Sequence, residues 1–287
     1  MVLDRKKIFM PNIKKKRLNP FIGVLCLAVF GVVNVCSAAQ NVANAASVGV
    51  DLLPHKAVYS LDLKASHQGA INNMNGHIVY DWTSDCKGWV VKNELDMNVA
   101  YSNGQSIQMA LCFSTWEAQD GSRYRFAVHQ GDSVSGPSNF LGRALRDEAK
   151  DIVTVDITAP EQKTAELKNA LFPTAFLSEI ISAAQTGKMT INYPVFDGTT
   201  ELEAFNVSAV ILPVEAKSIF PEMEELNAWR VFLAFYEQKD GSTVPVQEQS
   251  LLLYENGVVT EIELDFGNFT VAGDLIEFEA TKKPVCE

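Results

Sequence analysis

The cysteines carry the most clearly defined chemistry in this sequence of 287 residues. Two of the five, Cys26 and Cys36, lie in a basic and apolar N-terminal segment, whereas Cys86, Cys112 and Cys286 lie in the remaining chain. No Cys-x-x-Cys pair occurs, so the spacing disfavours a zinc ribbon and thioredoxin-type redox chemistry. In an oxidising compartment we expect two of the last three cysteines to form a disulfide.

A bond between Cys86 and Cys286 would have a large structural effect. Cys86 lies in a turn after a predicted strand, and Cys286 is the penultimate residue. Their pairing would attach the C-terminus to the first hairpin and close a loop of about 200 residues, for which the chain-entropy model gives about 5 kcal/mol. Cys112 falls in the middle of an alternating strand, where we expect a buried free thiol.

The other residue types that could do chemistry are dispersed along the chain. The four histidines are His55, His67, His77 and His129. None has a spacing typical of metal ligands, although a zinc site assembled from distant strands stays open from sequence. The acidic ladder Glu261, Glu263 and Asp265 could bind calcium. Alternating acids are also typical of the solvent face of a strand, and we favour that interpretation.

Local signatures of catalysis are absent from the sequence. It contains no His-Glu-x-x-His, phosphate-binding loop, dinucleotide-binding glycine motif or Gly-x-Ser-x-Gly elbow. Gly131-Asp132-Ser133 superficially resembles a hydrolase motif but lies in a turn-rich stretch. We therefore predict a non-enzymatic protein without a catalytic, cofactor or metal site. A hydrolase acting on wall polymer is the weakest alternative, since it needs an acid pair or a Ser-His arrangement that converges in space.

Large aromatic side chains could form a ligand or partner groove. The candidates are Trp82, Trp89, Trp116 and Phe176. Filling of the core is the default interpretation of such residues in a β protein, because each buries a large apolar area. If they line the concave face of a curved sheet instead, the protein could be a carrier or sensor for a lipid or glycan.

The N-terminal segment is typical of a secretory signal. Basic residues between Arg5 and Arg17 precede an apolar run over 21–35, which is shorter than the roughly 20 residues that a permanent membrane helix needs. Small residues favour cleavage after Ala39, with Ala45 as a second candidate. We predict a signal peptide over 1–39, an N-terminal tail over 40–53 and a single domain over 54–287, without stable membrane insertion after cleavage. An uncleaved anchor is the alternative.

Charge limits the class of partner. Removal of residues 1–39 would take away seven basic residues and one acid, which moves the net charge from −11 to −17. A protein with this much negative charge repels the phosphates of nucleic acid, and we therefore exclude nucleic acid as a partner. Proteins, cations or neutral groups are the expected partners.

The elements that must position these residues are mostly strands. Short β-type runs dominate after residue 54, and the alternation over 107–115 and 258–266 is typical of antiparallel strands with one dry face. Predicted hairpin tips are Asn75-Gly76, Asn103-Gly104, Asp120-Gly121, Asp197-Gly198, Asp240-Gly241 and Asn256-Gly257. Apolar residues recur at helical spacing between Thr174, the expected N-cap, and Gln185. The stripe predicts one amphipathic helix packed against the sheet.

A series of motifs in this sequence follows the order found in one family. The motifs are Leu53-Pro54-His55-Lys56-Ala57-Val58-Tyr59, Gly76-His77-Ile78-Val79-Tyr80, Thr115-Trp116-Glu117 with Asp120-Gly121-Ser122 and Arg125-Phe126, Leu171-Phe172-Pro173-Thr174, Val195-Phe196-Asp197-Gly198, Leu253-Tyr254-Glu255-Asn256-Gly257-Val258 and Leu264-Asp265-Phe266-Gly267-Asn268-Phe269. The chain resembles the envelope integrity protein B (EipB) family of alphaproteobacteria from about Leu53 to Cys286.

The resemblance implies a mostly β fold: an antiparallel β-spiral, which is a broken, overlapping, barrel-like wrap, with one helix inside its curve. It also implies a periplasmic location, a role in envelope integrity under stress and no established catalytic activity. The family's cysteine pair falls on Cys86 and Cys286, and Cys112 departs from the usual pattern. By similarity, the expected partners are periplasmic envelope proteins, tetratricopeptide-repeat proteins among them.

Overall fold

The computed structural model describes residues 50–67, 69–134, 136–199, 202–238 and 243–286. The predicted signal peptide and residues 40–49 of the predicted tail lie outside the described residues. Within those ranges, no helix combines the length and the apolar character that a membrane crossing requires.

Within the described residues, fourteen strands and one α-helix make up the fold. The strands are β1 (His55–Ser66), β2 (Ile71–Ser84), β3 (Gly88–Tyr101), β4 (Ser106–Ala118), β5 (Arg123–Asp132), β6 (Gly136–Asp147), β7 (Ile152–Ala159), β8 (Lys163–Lys168), β9 (Thr190–Val195), β10 (Phe205–Val214), β11 (Ala228–Glu237), β12 (Gln247–Tyr254), β13 (Val259–Asp265) and β14 (Phe269–Ala280). Helix α1 (Pro173–Gln185) follows β8, and a 3-10 helix (Pro221–Met223) lies between β10 and β11.

All fourteen strands belong to one antiparallel sheet. Its order is β8-β7-β6-β5-β4-β3-β2-β1-β14-β13-β12-β11-β10-β9, so the first and last strands pair in the middle. The sheet curls into a nearly closed, barrel-like wrap. At its rim Leu171 N–H donates to Pro194 O at 2.8 Å, and Phe196 N–H donates to Leu171 O at 2.9 Å. The chain after β8 therefore reaches the end of β9, and the predicted mostly β fold is confirmed.

Of the predicted hairpin tips, Asn75-Gly76 is wrong, and Asp240-Gly241 lies outside the described residues. Asn75 and Gly76 lie inside β2, where Gly76 pairs with Met97 of β3 and Leu61 of β1. A Cβ on Gly76 would lie 2.2 Å from Asp96 O, so glycine is needed here for the close approach of two backbones. By contrast, Asn103-Gly104 does connect β3 to β4, with positive φ at Gly104.

The alternation in β4 gives the sheet its dry and wet faces. Met109, Leu111 and Phe113 are buried, as predicted. Cys112 lies on the opposite face, and its thiol is free and exposed. The prediction of a buried thiol at Cys112 is therefore wrong, because residue 112 belongs to the wet face of a strand with only one buried face.

Helix α1 confirms the predicted helix, with its apolar stripe turned toward the sheet. The helix packs on β9 and β10 in what we call the helix-side core. The helix-side core comprises Leu52, Trp82, Phe176, Leu177, Ile180, Ile181, Val207, Val231, Leu253 and further buried residues of β9 to β13. A second apolar cluster, built mainly on β1 to β8 and β14, fills the rest of the wrap.

Candidate functional site

A disulfide joins the β2–β3 turn to the C-terminal end of the described chain, and the predicted pair is the one that forms. Cys86, in the turn between β2 and β3, bonds to Cys286, with the two Cα atoms 5.6 Å apart. The segment before Cys286 is held further by an ion pair from Lys283 to Asp51. Thr281 N–H also donates to Pro54 O at 2.8 Å. The C-terminal segment is thus fixed against both the residues that precede β1 and the β2–β3 turn.

Three of the four aromatic candidates lie together in the interior. Trp82 is buried, and its ring packs edge-on against Trp89 with the centroids 5.9 Å apart. Phe176 of α1 is buried in the same helix-side core and packs edge-on against Tyr193. These side chains fill the concave face of the sheet.

A small cavity remains beside Trp82. It has a volume of about 40 Å³ and is lined by His55, Tyr59, Trp82 and Val259, with other residues of β2, β3 and β13. The His55 ring stacks on Phe278 and contacts Leu53 O through Nδ1 at 2.7 Å. Burial lowers the pKa of His55, so the ring is neutral near pH 7. A cavity of this size holds a few waters and is far smaller than the roughly 300 Å³ of a small-molecule site.

Trp116 lies apart from the other three, on the outer face of β4. Its neighbours Thr115 and Glu117 are buried, so alternation turns the indole outward. Trp116 Nε1 donates to Asp85 Oδ2 at 2.9 Å. The guanidinium carbons of Arg125 and Arg123 lie 5.4 and 5.9 Å from the ring centroid, which is cation–π distance.

Glu117 of β4 is a buried acid whose carboxylate contacts the first turn of α1. Thr174 N–H donates to Glu117 Oε2 at 2.7 Å, and Ala175 N–H donates to Oε1 at 2.8 Å. Burial raises the pKa of Glu117 to about 7, opposed by these two hydrogen bonds and by the positive charge of Arg146. The residue at the N-cap position is Phe172, so the expected capping by Thr174 is wrong and a carboxylate from β4 replaces it.

A second buried acid, Asp197, lies in the turn after β9. Its Oδ1 accepts from the backbone N–H and the hydroxyl of Thr199 at 2.8 and 2.7 Å. The hydroxyl of Tyr124 donates to Asp197 O at 2.8 Å and ties this turn to β5. Burial raises the pKa of Asp197 to about 6. Both buried acids have partners that explain them as anchors of the backbone.

Two acids of the β13 ladder pair with cations on β11 and β1, each two strands away in the sheet. Arg230 of β11 donates to Glu261 at 2.6 Å, and Lys64 of β1 pairs with Glu263. Within the described ranges, no group of three or more His, Cys, Asp or Glu side chains is arranged to hold a metal ion. Glu261 and Glu263 are therefore explained by cross-strand ion pairs on the wet face, and Asp265 Oδ1 accepts a hydrogen bond from Gly267 N–H.

Sequence reasoning missed the role of Glu117 and the arginines around Trp116. A signal for Glu117 was present, because alternation through Leu111, Phe113 and Thr115 places residue 117 on the dry face. An acid at a dry position needs donors, and a helix N-terminus supplies them.

Most of this chain matches a known protein family. The profile of the family described as EipB-like matches residues 46–282. The cell envelope integrity protein EipB of Brucella abortus (strain 2308) is 24% identical over 270 residues, which are 90% of this chain and 95% of that protein. A crystal structure of a β-barrel-like protein of the domain of unknown function DUF1849, also from Brucella abortus, has a TM-score of 0.74 at 22% identity, over 82% of this chain and 100% of that chain. The structural likeness establishes the shared fold, and the profile match over most of the sequence shows that this chain belongs to the EipB-like family.

Proposed function

We propose that this chain is a non-enzymatic periplasmic protein that supports cell envelope integrity through contacts with other envelope proteins. The Brucella abortus relative carries envelope integrity in its name. The disulfide between Cys86 and Cys286 supports an oxidising compartment, because such bonds persist outside the cytoplasm.

The filled interior is the observation that carries the proposal. Helix α1 and the rings of Trp82 and Phe176 occupy the concave face, and the cavity beside them measures only about 40 Å³. The surface available for function is therefore the outside of the wrap, where partners of protein size would bind. Tetratricopeptide-repeat proteins stay among the proposed partners because of the family resemblance.

In-cell crosslinking tests this proposal. A strain lacking the gene should become sensitive to detergent, and a tagged copy should restore growth. Formaldehyde treatment of the restored strain should give discrete crosslinked species that contain other envelope proteins. An exported acidic protein of similar size serves as the control, and equal crosslinking of that control would contradict the proposal.

The alternative function, a lipid or glycan carrier, requires a different arrangement of the interior. A lipid or glycan would need α1 to move away from β9 and β10, since the helix now occupies that space. Mass spectrometry of an organic extract of the purified protein tests this directly. A stoichiometric lipid or glycan would favour the carrier over the protein-contact proposal.

A further inference from the structure

Arginine is concentrated in one region of this acidic chain. Five arginines follow residue 39, and four of them lie on β5 and β6. Arg146 turns inward, where its side chain is 13% exposed and donates to Ala170 O. The other three, Arg123, Arg125 and Arg143, are exposed on the outer face. Three exposed arginines therefore cluster on one face of a chain with a net charge of −11.

These arginines form a row with Trp116 across three strands. Arg125 lies opposite Trp116 in the β4–β5 pair and opposite Arg143 in the β5–β6 pair. Because strands are roughly 4.8 Å apart, the row is about 10 Å long. Arg123 is paired with Leu145, which is 43% exposed. We call Trp116, Arg123, Arg125, Arg143 and Leu145 the arginine patch.

Two cations of the arginine patch lack the close ion pair that holds the third. Arg143 is paired with Asp156 at 3.2 Å. Among the residues that the structure describes, neither Arg123 nor Arg125 forms an ion pair. The nearby carboxylates of Asp85 and Asp120 accept hydrogen bonds from Trp116 Nε1 and Ser122 N–H. Both guanidinium groups lie over the Trp116 ring at cation–π distance, and the charge of Arg123 also interacts with the Asp120 carboxylate.

We propose that the arginine patch binds an acidic segment of a partner protein, an inference that rests on the proposed function. A guanidinium presents planar, paired donors that match a carboxylate, and Trp and Arg are enriched at the energetic centres of protein interfaces. The row is about as long as three residues of an extended chain. Leu145 supplies an apolar contact beside the charges, so the segment combines Glu or Asp with an apolar residue.

The negative charge of the whole chain favours a peptide segment over an anionic membrane as the partner of the arginine patch. An anionic bilayer extends over the whole facing surface and would meet the acidic strands as well as the patch. A short acidic segment meets only the patch and escapes most of that repulsion. The observations therefore favour a peptide segment over a lipid surface.

Binding of a defined probe tests the inference. Fluorescence anisotropy of a labelled short peptide rich in Glu, with one Leu, is measured on the intact protein at low salt. Simultaneous R123A and R125A substitutions should weaken binding by on the order of tenfold or more. R125K should weaken it less, because Lys keeps the charge but loses the planar pair of donors.

Matched controls separate the effect of the arginine patch on binding from the effect of net charge. Simultaneous K64A and R230A substitutions remove two positive charges from outer-face positions already paired with Glu263 and Glu261. This control should bind the peptide like the parent, and a peptide with Gln in place of Glu should not bind. Equal affinity of the patch variant and the parent would overturn the inference. Loss of binding to phosphatidylglycerol vesicles in the patch variant, without any peptide binding by the parent, would also overturn it.

The crosslinking experiment separates this inference from the proposed function. The R123A and R125A variant should lose the crosslinked envelope partner while its melting temperature stays close to that of the parent. If it keeps the partner, the protein-contact function stands and the patch is not the contact site. If the parent itself gives no specific partner, the proposed function fails first.

Discussion

Glu117 on β4 holds the N-terminus of α1 through Thr174, whose backbone N–H donates to Glu117 Oε2 at 2.7 Å across 57 positions of sequence. A second N–H, from Ala175, donates to the other carboxylate oxygen. Helix N-termini leave backbone donors without internal partners and favour a nearby negative charge. This single side chain therefore ties the helix to β4 of the sheet.

Removal of the Glu117 carboxylate should destabilise the protein. In E117A two N–H groups at a buried helix end lose their acceptors, which should lower the free energy of unfolding by about 2–3 kcal/mol. Urea denaturation followed by circular dichroism measures the loss. E248A, which removes an exposed acid of β12, should stay within about 0.5 kcal/mol of the parent. A loss in E117A no larger than that in E248A would contradict the assigned role.

The same carboxyl should make stability depend on pH. Its folded pKa of about 7 lies above the ordinary glutamate pKa of 4.5, so between these values the folded state binds a proton that the unfolded state has released. The contribution of Glu117 is therefore present below about pH 4.5 and is lost as pH rises to about 7.

Comparison with E117Q isolates this contribution. The free energy of unfolding of the parent minus that of E117Q should fall by at most about 3 kcal/mol over this range and should level off above it. Asp197 titrates in both proteins and cancels in the difference. A difference that is constant or that rises with pH would show that the hydrogen bonds outweigh burial at this site.

Reduction of the disulfide should lower thermal stability markedly. The bond joins residues separated by 200 positions, for which the chain-entropy model gives about 5 kcal/mol. Replacing both Cys86 and Cys286 by Ser should lower the melting temperature by an amount similar to that seen with reductant. C112S is the matched control and should melt like the parent. An unchanged melting temperature in the double variant would contradict the role of the bond.

The Cys112 thiol should react in the native protein, but slowly at neutral pH. It is exposed, yet partial burial raises its pKa, and the charges of Glu94 and Asp96 raise it further. Maleimide labelling without denaturant should therefore modify one cysteine, at a rate that increases with pH. E94Q should speed labelling near pH 7. Labelling only after unfolding would contradict the exposed position.

Gly76 should not tolerate a side chain, whereas Gly131 should. A Cβ at Gly76 would lie 2.2 Å from Asp96 O, whereas at Gly131 the nearest atom, Pro137 Cα, would be at an ordinary 3.5 Å. G76A should therefore destabilise by about 1–3 kcal/mol through the forced backbone shift. G131A should have little effect in the same urea titration. Equal effects of the two substitutions would contradict the close packing of β2 against β3.

Much of this fold could be predicted from local patterns. The alternation of β4, the spacing of α1 and most Asx-Gly turns are short-range features, because strand and helix periodicity are set by the geometry of neighbouring residues. Gly76 is an instructive exception. The same dipeptide that makes a hairpin tip also fits inside a strand where another backbone approaches, and only the pairing with β3 distinguishes the two cases.

The candidate sites also include some features that the sequence predicts and others that depend on long-range strand pairing. Cysteine position and the family resemblance were enough to assign the bond between Cys86 and Cys286. The four aromatic candidates could not be sorted from sequence, because Trp82 and Trp116 differ only in which face of a strand they occupy and what lies across it. The arginine patch was missed for a similar reason, since its members become neighbours only through pairing of β4, β5 and β6.

The sequence by itself determined an acidic, mostly antiparallel β protein with one amphipathic helix and one disulfide, because composition, periodicity and cysteine spacing are local or countable. Tertiary structure alone decided that Glu117 caps a helix 57 residues away, that Cys112 faces solvent and that arginines on neighbouring strands gather around Trp116. Those features depend on strand register and sheet curvature, which arise from long-range pairing and cannot be read from neighbouring residues.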